Sequence, residues 1–166
     1  MNDTFETVGE FFMDLCPPDN VIIDPKSLEY NGFTLDRIAI GKSYEEFCEY
    51  WDGFLETYFP EGRKPIMVGQ FIAADIAFLG SVFSNARRPN LYEKLGNDII
   101  DTKSIANQAN AIARYNKIQL PFPSTSLSKP GGIAERLHIT DYNAHTARGD
   151  IMATREALMK FLKFKR

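Results

Sequence analysis

Pro65-Ile66-Met67-Val68-Gly69-Gln70-Phe71-Ile72-Ala73-Ala74-Asp75-Ile76-Ala77-Phe78-Leu79-Gly80-Ser81-Val82-Phe83 is the only long apolar run in the chain. A hydropathy window of about 19 residues would flag it as a membrane span, but Asp75 lies near its middle, and a central Asp costs about 2.5 to 3.5 kcal/mol on insertion. Gln70 and the two glycines weaken the run further. The stretch therefore predicts a short buried strand, Lys64 to Val68, running into a buried helix that passes Phe71 and ends near Asn85, with no membrane partner.

Outward from this run, strands alternate with helical patterns, the signature of an α/β sheet. Val8 to Leu15 is apolar and aromatic, stops at Cys16-Pro17-Pro18-Asp19-Asn20, and reads as a strand. Ser43-x-x-Glu46 has the form of a capping box, and Phe47, Trp51, Phe54, Leu55 and Tyr58 follow at helical spacing until Pro60, predicting a helix from Tyr44 to Phe59. Asp98 to Ile100 reads as a second short strand leading into a helix from Thr102 to Arg114. The prolines at 121, 123 and 130 mark a surface loop placed to act as a lid or substrate rim. A short helix, Gly132 to Leu137, and a last helix from an Asn143 cap to about Phe161 complete the chain. Lys160, Lys163, Lys165 and Arg166 stand at its end, where cations suit the helix dipole as a solvated end or contact a nucleic-acid backbone.

The 166 residues suit one domain spanning 1–166. A hydrophobic content of 44%, with 13 Phe and 7 Tyr, is enough for a sizeable core and excludes disordered and fibrous classes. The formal charge of -3 excludes a polybasic nucleic-acid coat, so a polyanion partner must meet a local patch or a metal site. Cys16 and Cys48 form no C-x-x-C pair, and Met1 to Glu10 lacks the basic, then apolar, pattern of a secretory signal. A reducing, cytoplasmic location is expected.

Three acidic residues and one histidine could carry chemistry. Asp75 is the only charged residue between Lys64 and Arg87, and a buried carboxylate needs a partner from the fold, a helix N-terminus or a metal ion. His145 and Asp150, in Asn143-Ala-His-Thr-Ala-Arg-Gly-Asp150, are five apart. The spacing does not put them on one helix stripe, but a His in the first turn can point into a cleft as a general base or metal ligand. Asp101 ends a strand and is placed to cap the next helix.

Taken in order, these segments resemble the DEDDh family of 3′ to 5′ exonucleases. Gly69 to Leu79 is similar to that family's second motif, with Gln70 and Phe71 in place of the usual His-Asn and Ala74 in place of an aromatic. Ile100-Asp101-Thr102 resembles its Asp-Thr strand end, Ser126-Leu127 through Ile139 its Ser-Leu helix, and His145-x-Ala-x-x-Asp150 with Ala153-Thr154 its third motif. The resemblance implies an RNase H-like, three-layer α/β domain with a mixed sheet flanked by helices. It further implies Asp75 and Asp150 as metal ligands, His145 as the catalytic base, Mg²⁺ or Mn²⁺ as cofactor, and single-stranded DNA or RNA as substrate.

The family's first motif, Asp-x-Glu on the first strand, has no counterpart. Asp3-Thr-Phe-Glu6 spaces its carboxylates one residue too widely, and residues three apart on a strand face opposite sides. With the first strand missing, the expectation is weak metal binding, slow or absent hydrolysis, and an exposed sheet edge open to pairing with a second copy. Three readings follow: a metal-dependent exonuclease, a catalytically inactive RNase H-like module that binds nucleic acid or protein, and an unrelated α/β domain whose Asp and His are structural.

Overall fold

The computed structural model describes residues 6–163. Asp3, Lys165 and Arg166, which figured in the sequence reading, lie outside that range. The protein is mixed α/β and about half helical, with one small parallel sheet. No helix among the described residues is long and apolar enough to cross a membrane. Two compact units are present, one built from the chain up to Ile66 together with Ile76–Asp98, the other from Met67–Asp75 together with the chain from Ile99 onward.

The first unit is held by aromatic packing on a helix whose start is encoded locally. Helix α1 spans Pro25–Asn31, α2 Leu35–Ala39 and α3 Tyr44–Tyr58. Ser43 and Glu46 form the full reciprocal capping box at the start of α3, as the sequence predicts. The Val8 to Leu15 segment is not a strand of the sheet: among the described residues its only ladder contact is an isolated parallel bridge between Leu15 and Lys42. Instead Phe11 packs edge-on against Phe47 and Trp51 of α3, with ring centroids 5.5 and 5.8 Å apart. Burying an aromatic surface on a helix face satisfies an apolar segment as well as a sheet does, and alternation alone does not distinguish the two outcomes.

Helices α1 and α2, not among the expected elements, carry local start and stop signals. Asp24 caps α1 and Pro25 opens it, while Gly32 closes it in the left-handed region, and Thr34 caps α2. The bidentate pair from Arg37 to Asp14, at 2.7 and 2.9 Å, ties α2 to the segment before it.

The second unit contains the sheet. Strand β1, Met67–Gly69, pairs in parallel with β2, Ile99–Asp101, in the register Met67 to Ile99 and Gly69 to Asp101. Among the described residues no third strand joins either edge. Helix α4, Ala73–Asn85, follows β1, and α5, Thr102–Tyr115, follows β2, each within a residue or two of its predicted place. Helix α4 is not the buried helix expected: of its residues only Val82 and Phe83 are buried, so one end of its apolar sequence meets the core and the rest is half-buried or exposed. The short α6, Ile133–Arg136, and the long α7, Ala147–Phe161, follow. Helix α7 packs against β1, α5 and α6. The core between them is made of Ala106, Phe122, Leu127, Ile133, Ala134, Ile139, Ala153 and Ala157. Small residues on α5 and α7 let the two helices approach closely.

Candidate functional site

Every segment in the exonuclease resemblance from Gly69 to Asp75, and from Ile100 onward, falls within the second unit. Its centre is the parallel strand pair, because each strand ends in a turn that must satisfy the first amides of a helix. Asp101 does this for α5, accepting from the Lys103 amide at 3.1 Å and the Ser104 hydroxyl at 2.9 Å. The same carboxylate accepts from the Phe71 amide at 2.7 Å, which joins the end of β2 to the turn leaving β1. Asp101 is thus a cap, as its position at a strand end predicts.

Phe71 sits in the left-handed region at φ 62°. That conformation disfavours a side chain by about 1 to 2 kcal/mol, and Asn tolerates it better than Phe. The turn keeps it because both flanks are pinned. Gln70 donates from Nε2 to the Thr125 carbonyl at 2.9 Å and accepts from the Thr102 hydroxyl at 2.6 Å. The Phe71 ring is exposed, and the Lys103 ammonium lies 4.2 Å from its centroid. In the sequence Gln70 and Phe71 stand out only as departures from His-Asn. Nothing in a Gly-Gln-Phe string signals positive φ, since Phe is not a turn residue.

Asp75 stands in the first turn of α4. It is solvent-accessible, yet loss of hydration at its carboxyl pushes its pKa above the ordinary Asp value, and the neighbouring Asp101 charge pushes the same way against the pull of its own backbone amide. Asp150 lies on α7 at the head of the stripe Asp150, Ala153, Thr154, Ala157, the i, i+3, i+4, i+7 pattern of a packed face, and is half-buried. It stands close to Tyr142, whose phenol is pushed up first by burial and then by the Asp150 charge.

His145 is not in the first turn of a helix. The N-cap is Thr146 rather than Asn143, its hydroxyl accepting from the Gly149 amide at 3.1 Å and donating to the Asn143 carbonyl at 2.8 Å. His145 therefore precedes the cap, exposed, with φ 66°. A Cβ on the buried Gly149 would collide with the Asn143 carbonyl, so this turn admits only glycine at that point.

The loop rich in proline is not a free lid. The buried Asn110 side chain brackets Phe122, donating to its carbonyl at 2.6 Å and accepting from its amide at 3.1 Å. Arg136 donates to the Pro121 carbonyl at 2.7 Å, and Gln70 holds Thr125. Phe122 and Leu127 are core residues, so the loop is anchored at both polar and apolar points. Lys160, read as a dipole partner for its own helix, donates instead to the Leu137 and His138 carbonyls at 2.6 and 3.1 Å and pairs with Glu156 at 3.1 Å.

Asp75, His145 and Asp150 share one unit, but among the described residues no group of three or more His, Cys, Asp or Glu stands close enough to hold a metal ion. With Asp101 engaged by three donors, the donor set described here does not by itself fit a two-metal centre. Comparison with protein-family models, with curated proteins and with solved structures finds no match.

Proposed function

We propose that the chain is a 3′ to 5′ exonuclease-like domain of the DEDDh type that takes the ends of single-stranded DNA or RNA. Its hydrolysis depends on an Asp-x-Glu pair that residues 1–166 do not contain. The observation that carries this reading is the packing of α7, which bears Asp150 and follows His145, against β1, the strand that leads to Asp75. Segments far apart in the chain meet at one strand, in the order the resemblance requires.

Two carboxylates without the first-motif pair leave Mg²⁺ or Mn²⁺ weakly held, because hard cations need several oxygen ligands. The chain alone is then a binder of single-stranded ends that cuts slowly or not at all. The three donors on Asp101 and the lack of a three-ligand cluster among the described residues favour a second reading, an inactive RNase H-like module that binds nucleic acid or protein.

A nuclease assay on a 5′-labelled single strand with Mn²⁺ tests the proposal on the chain itself, on a version extended upstream by a strand bearing Asp-x-Glu, and on that version carrying His145→Ala. The expected result is binding without shortening by the chain, shortening by the extended version, and loss of shortening with His145→Ala. An extended version that folds and binds but never shortens the strand would establish the inactive module. Failure of both versions to bind single strands would overturn the nucleic-acid reading.

A further inference from the structure

Phe71 combines four properties that have no common structural purpose. The residue is 53% exposed, so it adds little to the core. Its backbone holds a conformation that a bulky residue adopts at a cost, and such strain persists only where the surroundings over-determine it. The surroundings do so here through the Asp101 bond to its amide and the two bonds of Gln70, which fix the backbone while leaving the ring outside. Finally, a cation, Lys103, stands over the ring. An outward aromatic on a fixed backbone, with an ammonium group over one face, matches the two parts of a nucleotide, since a base can stack on the face that Lys103 leaves and every phosphate attracts a cation.

We infer that Phe71 is a stacking platform for one base of a single-stranded nucleic acid, with Lys103 as the contact for the adjoining phosphate. The inference rests on the nucleic-acid reading above and adds to it the residue and the mode of contact. A Phe ring carries no hydrogen-bonding groups, so the platform accepts all bases and selects for an unpaired one. Strain and exposure at this position are then retained for binding rather than for folding.

The test is fluorescence anisotropy of a labelled oligothymidylate and of the same backbone made abasic, with denaturant unfolding run in parallel. Phe71→Asn removes the ring but suits the left-handed turn, so it is expected to weaken oligothymidylate binding about tenfold, leave abasic binding unchanged, and keep or raise stability. Phe71→Trp is expected to retain tight binding, and Lys103→Gln to weaken both strands alike. Equal binding of the two strands by the unmodified chain, or undiminished oligothymidylate binding by Phe71→Asn, would overturn the platform while leaving nucleic-acid binding intact. Absence of binding to either strand would overturn the underlying reading, and the platform with it.

Discussion

The Phe71 amide donates to the Asp101 carboxylate at 2.7 Å, so the residue that leaves β1 is held by the residue that ends β2. One side chain thereby serves two turns: it caps α5 and fixes the entry to α4. Because β1 and β2 run parallel and in register at Gly69 and Asp101, both turns emerge at the same end of the sheet. Loops at the carboxyl ends of parallel strands are where α/β proteins gather functional side chains.

Asp101→Ala removes the cap and strands the Phe71 amide. A lost cap costs about 1 kcal/mol and the loss of the exposed Phe71 amide's bond to a carboxylate about 1 to 2 kcal/mol more. A destabilisation of about 2 to 3 kcal/mol is expected in urea unfolding. A change below about 0.5 kcal/mol, the level of an ordinary surface substitution, would show that the bond carries no weight.

Asn110→Ala leaves the Phe122 carbonyl and amide without partners in a buried setting. The expected loss is about 3 kcal/mol. The chain from 118 to 131 is expected to become sensitive to limited proteolysis, because its main polar anchor is gone. Unchanged cleavage of that segment would mean that Arg136 and Gln70 hold the loop unaided.

Gly149→Ala forces a Cβ toward the Asn143 carbonyl in a buried turn. Overpacking of this kind costs about 1 to 3 kcal/mol. The shift is expected to show first at His145, which lies inside the displaced turn, as altered imidazole chemical shifts in the folded protein. Identical spectra would show that the turn absorbs the methyl group elsewhere.

The Asp75 carboxyl has a raised pKa in the folded state, relative to an ordinary value of 3.8. The folded chain thus binds its proton more tightly than the unfolded chain. The stabilisation from this proton is fully present below the unfolded pKa and is lost as pH rises through the folded one. Since Asp75 reaches water, screening keeps the effect small. Asp75→Asn is expected to raise stability at neutral pH, and that gain should shrink as the pH falls through the raised folded pKa and be gone below the ordinary Asp value. A gain that grows on acidification would reverse the sign and refute the assignment.

What the sequence by itself determined lies within a few residues of each signal. The Ser43 and Glu46 box, the succession of β1 and α4 and the Asp101 cap were legible because such signals lie in neighbouring side chains and backbone amides. Asp75, His145 and Asp150 were legible as residue types with chemical potential, and Asp75 as the reason against a membrane span. The tertiary structure decided the rest. Whether Val8 to Leu15 pairs or packs depended on the α3 aromatics, which offered Phe11 a surface that alternation does not encode. The anchored loop required Asn110 to meet Phe122 and Gln70 to meet Thr125. Phe71 in a left-handed turn and His145 ahead of its cap likewise follow from bonds that close only when both partners are in place. Periodicity describes which face of a segment is apolar. It does not specify which distant polar group that face will meet, and those meetings shape the candidate site.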